Sequence, residues 1–229
     1  IKNKKYSFAH NDLLPNLVFL DSNLINSSSN YIKVCSGLDA LCQAIESHWS
    51  INSSMKSKKY SLAAMNKLIK NLIDFIKNPN ENNRNEVMKA SNLSGKAINY
   101  TKTTAPHAFS YYLTYNYKIP HGHAVAILMP YFMEYNFNFN NSNLLIDKKK
   151  LNDSFNDIFN SFDVDNISDL VISYKKLLKD LKLDFIDFKN NFNPNDLNDF
   201  SKNINLERLK NNPVKVNMKH FVSNFLNSL

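Results

Sequence analysis

Hydrophobic residues return every three or four positions along most of this chain, which is the spacing of helices that bury one face. Residues 56–77 and 166–181 carry the clearest apolar stripes, and residues 124–135 are apolar on nearly every side. The last of these segments is therefore expected at the centre of the core. Polar stretches and Asn-Pro pairs interrupt the stripes, as turns and loops do. The pattern predicts an all-α protein with helices at about 37–49, 56–77, 81–100, between 104 and 115, 120–135, 151–162, 166–181, 196–203 and 218–229.

The first 34 residues have a different pattern. Leu17-Val-Phe-Leu20 is an apolar run of strand length, and a turn-forming Asp-Ser-Asn sequence follows it. Ser36 is suited to cap the first helix, with Asp39 three residues further on. Gly95, inside the third helix, permits a close helix approach or a kink. The chain is thus expected to begin with loop structure and one short strand before the helices.

Composition limits the class of protein. With 229 residues and 43% hydrophobic residues, the chain can bury the core of one large domain or two small ones. The net charge is +8, but the basic residues are mostly lysines scattered among asparagines, so no nucleic-acid partner is expected. Two cysteines, Cys35 and Cys42, argue against a disulfide framework and favour a reducing, cytoplasmic location. No apolar run reaches the ~18 residues of a membrane span, so no membrane partner is expected.

Glycine is scarce, and this has a consequence for nucleotide binding. The chain has three glycines, so neither a GxGxxG nor a GxxxxGK[ST] phosphate-binding loop can be written in it. The phosphates of a nucleotide are therefore expected to bind elsewhere. The sequence starts at Ile1, without an initiator methionine or a signal peptide, and we expect a further segment upstream of it.

Residues able to bind a metal ion fall on three of the predicted helices. Asp39 and Gln43 stand one turn apart on the first helix, and Glu46 lies on the same face. His107 and His121 each follow a proline directly, where the fourth and fifth helices begin. A carboxylate, an amide oxygen and two imidazoles form a mixed ligand set suited to Fe²⁺, Zn²⁺ or Mn²⁺.

The same residues could serve the fold without any metal. A carboxylate at the third helical position, as predicted for Asp39, can satisfy free N–H groups at the helix start. A buried imidazole must also find partners for its ring nitrogens, and a backbone carbonyl is a commoner partner than a metal. Both structural roles stay open at the level of these residues.

Several segments together resemble one family. They resemble the C-terminal helical domain of the iron-containing (group III) alcohol dehydrogenases over roughly residues 10–229, and within that family the phosphonoacetaldehyde reductase branch. The segments are Ser36-Gly-Leu-Asp39-Ala-Leu-Cys-Gln43-Ala-Ile-Glu-Ser, Lys102-Thr-Thr-Ala-Pro-His107, Tyr111, Pro120-His-Gly122, Leu128-Met-Pro130, Glu134-Tyr-Asn136 and Asn212-Pro213.

The resemblance implies a domain arrangement. This chain would be the all-α helical bundle that binds the metal in a dehydroquinate synthase-like architecture. The Rossmann-like N-terminal half of that architecture, which binds NAD(P), is absent from this sequence. Residues 1–34 would then be an inter-domain segment with a short strand, and residues 35–229 the metal-binding domain.

The resemblance also implies site residues. The metal, Fe²⁺ or Zn²⁺, would be held by Asp39, Gln43, His107 and His121, with Gln43 standing where the family usually has a histidine. Tyr111 stands where many members have a histidine beside the nicotinamide, and His123 where many have a small apolar residue. These two residues are the candidate catalytic groups for proton relay. NAD(P)H would bind through the domain absent from this chain.

The implied function is the metal-binding catalytic half of an NAD(P)-dependent alcohol dehydrogenase or aldehyde reductase. Its partners would be a small aldehyde or alcohol and further copies of the chain. Phosphonoacetaldehyde, reduced to 2-hydroxyethylphosphonate, is the narrower substrate expectation, with Lys102 as a candidate contact. One alternative is a truncated helical remnant without turnover that acts as a binding or assembly module. Another keeps the fold but places the chain with the dehydroquinate synthase or glycerol dehydrogenase relatives.

Overall fold

The computed structural model describes residues 10–139, 141–183 and 204–228, and these residues are organised by helices. The prediction of an all-α fold is confirmed, and the helix predicted at 196–203 lies outside the described residues. Short 3-10 turns occur at Asn11–Leu13, Ser22–Ile25 and Asn141–Asn143. The helices are α1 Asn30–Trp49, α2 Met55–Lys77, α3 Glu81–Thr101, α4 Ala105–Tyr117, α5 His121–Phe137, α6 Lys148–Phe162, α7 Ile167–Asp180, α8 Leu206–Leu209 and α9 Met218–Ser228.

The strand predicted at Leu17–Leu20 is wrong, because these residues form no regular element. Their side chains are exposed, with Phe19 at 87%. A strand needs a neighbour that accepts and donates its backbone hydrogen bonds. Among the described residues, one isolated bridge between Leu144 and Val214 makes such a contact. The division into residues 1–34 and 35–229 remains a prediction.

Helix α1 begins at Asn30, seven residues earlier than predicted. The side chain of Ser29, rather than that of Ser36, accepts a hydrogen bond from a first-turn N–H, that of Ile32. Asp39 therefore lies in the helix interior, where backbone N–H groups already bond to carbonyls one turn earlier. A helix-capping role for Asp39 is thus wrong.

Helix α5 passes through the middle of the molecule, as predicted. All residues from Ala124 to Met133 are buried. All of them except Pro130 belong to two apolar clusters, one with α1, α2, α3, α6 and α7 and the other with α4 and α9. Pro130 lies inside this helix and has no N–H to bond the carbonyl of Ala126. The hydroxyl of Tyr174 on α7 lies 3.4 Å from that carbonyl and donates to it instead.

Helices α1 and α5 touch backbone to backbone at Gly122. A Cβ added there would lie 2.0 Å from the carbonyl oxygen of Cys35, so no larger residue fits at this helix spacing. The close helix approach predicted as one role for Gly95 is wrong, because a Cβ at that position would meet nothing within 4 Å. The backbone contact between α1 and α5 therefore depends on Gly122.

Two buried asparagines link the segment after α8 to α5 by hydrogen bonds. Asn136 and Asn212 exchange side-chain hydrogen bonds of 3.2 and 2.8 Å, and Asn212 also donates to the carbonyl of Val214 at 2.7 Å. Both residues are fully buried, so each amide group depends on the other for its hydrogen bonds. This contact fixes where α8 lies and therefore where Arg208 on α8 lies.

His48 joins three helices near the end of α1. Its buried ring lies 2.8 Å from the hydroxyl of Ser61 on α2 and 2.9 Å from the carboxylate of Asp157 on α6. Burial lowers the pKa of His48 from 6.5 to about 4, and the hydrogen bond to Asp157 offsets only part of this effect. The folded protein therefore holds His48 neutral at physiological pH.

Acid should consequently weaken the fold through His48. The unfolded chain takes up a proton near pH 6.5 and the folded chain only near pH 4, so stability is complete above 6.5 and falls as the pH drops between these values. Between about pH 7.5 and about pH 5 the loss amounts to about 2 kcal/mol. In urea unfolding over this pH range, the wild type should lose about 2 kcal/mol more stability than His48→Gln, because the other titrating groups are common to both proteins. An equal acid-induced loss in both proteins would contradict the assignment.

The crossing at Gly122 gives a second prediction. Gly122→Ala should destabilise the protein by about 1–3 kcal/mol, because α1 and α5 must move apart to admit the methyl group. Gly95→Ala is the matched control and should stabilise the protein by about 0.5–1 kcal/mol, since its helix gains alanine without a clash. Urea unfolding of the metal-free proteins measures both effects. A Gly122→Ala protein as stable as Gly95→Ala would rule out the direct backbone contact.

Candidate metal centre

Three side chains from α1, α4 and α5 meet at one point. An oxygen of Asp39 lies 3.2 Å from Nε2 of His107 and 3.8 Å from Nε2 of His121. Each residue offers one ligand atom, and all three atoms lie within 4.8 Å of one another. Ligands sharing one ion at ~2.1 Å are about 3–4 Å apart, so this group has the dimensions of a metal site.

The group is buried on one side and open on the other. The side chain of His107 is 3% exposed, whereas those of Asp39 and His121 are 23% and 28% exposed. An ion at this point would therefore be reachable from solvent past Asp39 and His121. Such an open side is what distinguishes catalytic metal sites from closed structural ones.

Helix starts place both histidines. Pro106 occupies the first turn of α4 just before His107, and Pro120 directly precedes His121 at the start of α5. Proline is favoured there because the first N–H groups of a helix have no partner within the helix. The helix crossing at Gly122 then brings the start of α5 against α1, so close that a Cβ on Gly122 would lie 3.1 Å from Cβ of Asp39. The convergence predicted from the sequence is found in the structure.

A buried carboxylate lies behind His107. Glu46 on α1 is fully buried, and its Oε2 contacts Nδ1 of His107. Its Oε1 accepts hydrogen bonds from the backbone N–H groups of Thr104 and His107 at 2.8 and 3.3 Å. Thr104 stands at the predicted cap position of α4 but its side chain makes no capping hydrogen bond, so Glu46 caps this helix from α1.

Two carboxylates act on the buried imidazole of His107. Burial alone would lower the pKa of His107, but Glu46 and Asp39 outweigh it and raise the pKa to about 9. Its Nε2 makes no hydrogen bond of ordinary geometry with any described residue, although Asp39 is 3.2 Å away. The two carboxylates therefore favour a positive charge at Nε2 of His107, on the side that faces Asp39.

Ser110 holds the second histidine in a similar way. Its hydroxyl donates to the carbonyl of His107 at 2.8 Å and lies 3.2 Å from Nδ1 of His121. Because the hydroxyl proton is used on the carbonyl, the serine oxygen is left to accept from Nδ1 of His121. That arrangement leaves Nε2 of His121 as the nitrogen with a lone pair, and Nε2 is the atom that faces Asp39.

Gln43, the fourth predicted ligand, lies beside Asp39. Its amide nitrogen donates to Oδ2 of Asp39 at 2.8 Å, and its amide oxygen lies 3.1 Å from the hydroxyl of Ser94. In this arrangement the atom next to Asp39 is a donor, and Gln43 orients the carboxylate. Whether Gln43 binds a metal remains a prediction.

The two predicted catalytic residues lie on different sides of His121. The ring of Tyr111 is 5.9 Å from that of His121, and its hydroxyl accepts a 2.8 Å hydrogen bond from Nε of Arg208. The ring of His123 instead faces α1, where its Nδ1 lies 2.9 Å from the hydroxyl of Tyr31. Residues two apart on a helix point in different directions, so His123 does not join the group around Asp39.

Four residues at the site were not predicted as functional from the sequence. Glu46 shares a helix face with Asp39 and Gln43, and that spacing was the available signal. Ser110, Ser94 and Arg208 gave no comparable signal, because their roles depend on how separate helices meet. Arg208 also contacts the hydroxyl of Thr103 through Nη1, and its guanidinium lies 5.7 Å from the ring centre of Tyr111.

Comparison with known proteins agrees with this geometry. A sequence profile of the Fe-containing alcohol dehydrogenase family, C-terminal part, matches residues 33–226. The chain belongs to this family. The helical architecture described above matches that part of a solved alcohol dehydrogenase structure.

Three relatives show how far the similarity extends. The phosphonoacetaldehyde reductase of Streptomyces viridochromogenes is 35% identical over 101 residues, which are 43% of this chain and 25% of that protein. The aldehyde-alcohol dehydrogenase of Streptococcus pneumoniae is 27% identical over 134 residues, 58% of this chain and 15% of that protein. An alcohol dehydrogenase structure from an archaeal halo-thermophile of a Red Sea brine pool matches with a TM-score of 0.80 at 19% identity, over 91% of this chain and 53% of that one.

The chain thus spans about half of that solved structure and a quarter or less of the two curated relatives. The family and the fold are established for this part alone. None of the described helices is both long and apolar enough to cross a membrane.

Proposed function

We propose that this chain is the metal-binding catalytic half of an NAD(P)-dependent alcohol dehydrogenase or aldehyde reductase. The observation that carries the proposal is the meeting of Asp39, His107 and His121 at ligand distances, in a family of iron-containing enzymes. The profile match is to the alcohol dehydrogenases, which favours them over the dehydroquinate synthase relatives.

The residues suit a divalent cation in charge as well as in distance. Asp39 and Glu46 bring two carboxylates to a site whose histidines are held by their Nδ1 atoms. A divalent ion would take the place of the proton on Nε2 of His107, and its charge of +2 would balance these two carboxylates. Fe²⁺ or Zn²⁺ bound by Asp39, His107 and His121 would supply Lewis-acid polarisation of a carbonyl group.

Gln43 is proposed as the fourth ligand. The hydroxyl of Ser94 donates to the carbonyl of Ala40 at 2.8 Å, so its oxygen is able to accept from the amide of Gln43. A half-turn of that amide would let its nitrogen donate to Ser94 and would turn its oxygen towards Asp39. The carbonyl-type oxygen of Gln43 is then available to a cation.

The remaining steps of the reaction belong to this chain's side chains and to the part of the protein that binds the nucleotide. The hydride of NAD(P)H would come from outside this chain, since the chain has no glycine-rich phosphate loop. Tyr111 is better placed than His123 to pass a proton, because its ring flanks His121. Arg208 fixes the tyrosine hydroxyl through its 2.8 Å hydrogen bond.

Phosphonoacetaldehyde is the substrate that we propose within this class. The proposal is supported by the relative from Streptomyces viridochromogenes and by the cationic group of Arg208, which is half-buried next to Tyr111. A guanidinium in that position would attract a substrate that carries a phosphonate. A cytoplasmic location, self-association and a contact with Lys102 stay predictions from the sequence.

Metal analysis tests the site directly. The complete native polypeptide, loaded with Fe²⁺ or Zn²⁺, should hold about one divalent ion per chain. His121→Ala should lose the ion, because one of the ligand atoms is removed. His10→Ala is the matched control and should keep it, since His10 is exposed and lies outside the ligand group. A wild-type protein that stays metal-free under every loading condition would contradict the proposed function.

Rates of turnover with different aldehydes test the proposed substrate. Oxidation of NAD(P)H by the metal-loaded native polypeptide should be faster with phosphonoacetaldehyde than with unsubstituted aldehydes of similar size. Arg208→Met should lower kcat/KM for phosphonoacetaldehyde about 10–100-fold more than for the unsubstituted aldehydes, because a hydrogen bond to a charged group contributes about 1.5–3 kcal/mol.

Arg84→Met is the matched control, because it removes the same charge from α3, outside the site. It should leave kcat/KM unchanged for both phosphonoacetaldehyde and the unsubstituted aldehydes. Equal or better rates with unsubstituted aldehydes would remove the phosphonate assignment. A protein that holds its metal and reduces no aldehyde would instead favour the binding or assembly module.

A further inference from the structure

Glu46 contacts two different parts of α4 with its two oxygens. Oε1 accepts from the backbone N–H of Thr104 at 2.8 Å, from the hydroxyl of Thr104 at 3.0 Å and from the backbone N–H of His107 at 3.3 Å. Oε2 contacts Nδ1 of the His107 ring. The hydroxyl of Thr104 in turn accepts from the indole N–H of Trp49 at 3.0 Å, which fixes the direction of its own proton.

These contacts make Glu46 an acceptor on both sides. Every partner of Oε1 is a donor, so this oxygen is an acceptor, and the carboxylate stands at the N-terminus of α4, where N–H groups point towards it. The remaining oxygen therefore faces Nδ1 as an acceptor. A ring nitrogen next to an acceptor keeps its proton.

We propose that Glu46 is a positioning residue that keeps the proton of His107 on Nδ1 and so reserves Nε2 for the metal ion. The inference rests on the proposed metal site and adds a residue that is not itself a ligand. Glu46 cannot join the ligands in this arrangement, because it contacts the edge of the imidazole opposite to Nε2 and uses both oxygens there.

The same carboxylate positions the backbone of His107 as well as its ring. An ordinary N-cap comes from the residue just before the helix, but here the cap comes from α1, the helix that also carries Asp39. The rotation of the ring and the start of α4 are thereby fixed relative to Asp39. Ser110 has no such double role, because its hydroxyl is neutral and belongs to α4 itself.

Glu46→Gln separates the two roles. The glutamine oxygen can still accept from Thr104 and His107 and so cap α4. Its NH₂ group, however, would face Nδ1 as a donor, and His107 would have to move its proton to Nε2. The variant should therefore fold and yet bind metal less well.

The chain contains a matched control. Asp157 is also a carboxylate that contacts a buried histidine, His48, and neither residue belongs to the ligand group. Asp157→Asn makes the same chemical change as Glu46→Gln at a histidine that has no metal to bind.

The measurement is the dissociation constant for Zn²⁺, obtained by competition with a chromophoric chelator, in the complete native polypeptide. We expect Glu46→Gln to weaken binding about 10–100-fold and Asp157→Asn to leave it within about twofold. Equal binding by wild type and Glu46→Gln would overturn the role of Glu46 and leave the metal site standing. A wild type that binds no Zn²⁺ would overturn both the role and the proposed function.

A second measurement uses the wild type alone and so does not depend on whether a variant folds. Nitrogen-15 NMR of the Zn²⁺-loaded wild type distinguishes the two ring nitrogens of His107. A proton on Nδ1 together with a metal-bound Nε2 supports the proposal. A proton on Nε2, or binding through Nδ1, overturns it whatever the variants do.

Discussion

The direct contact between α1 and α5 at Gly122 is the constraint on which the rest of the site depends. Because a Cβ there would lie 2.0 Å from the carbonyl of Cys35, the two helix axes are closer than side chains would otherwise allow. That distance brings His121, at the first position of α5, within 3.8 Å of Asp39 on α1. The apolar faces of α5 then lie in both clusters of the core, so the packing of the whole domain maintains the crossing.

Electrostatics explains why positive charge is favoured at this crossing. Two helices begin at this point, and Glu46 and Asp39 supply the negative charge that offsets their positive ends. Once these carboxylates are present, His107 lies between them and gains charge: its pKa rises to about 9 despite full burial. His48 on the same helix as the two carboxylates shows the opposite result, since one half-exposed carboxylate, Asp157, does not prevent its pKa from falling to about 4. Two converging carboxylates therefore outweigh burial and raise the pKa of His107.

Local patterns predicted the parts of this structure that depend on local physics. The helices, the central place of α5 and the meeting of Asp39 with both histidines followed from periodicity, helix starts and the family resemblance. The start of α1 was wrong because Ser29 and Ser36 are equally good caps in sequence, and only packing decides between them. The strand at Leu17–Leu20 was wrong because a strand requires a partner that sequence does not supply. The shared helix face pointed to Glu46, but its contacts with α4 could not be predicted, because they depend on where α4 begins in space.

The orientation of the Gln43 amide would decide the ligand set of the proposed metal site. Where its nitrogen donates to Asp39, the group has one carboxylate and two imidazoles, and the amide orients the carboxylate. Where its oxygen replaces that nitrogen, the set gains a second hard oxygen donor and no third imidazole. Hard oxygen ligands lower the preference for soft or nitrogen-seeking ions, so the set shifts towards Fe²⁺ and Mn²⁺ relative to one with three histidines. Ser94 is the partner that permits both orientations. Its hydroxyl can donate to the amide oxygen in the first, and in the second it donates to Ala40 while its oxygen accepts from the turned amide.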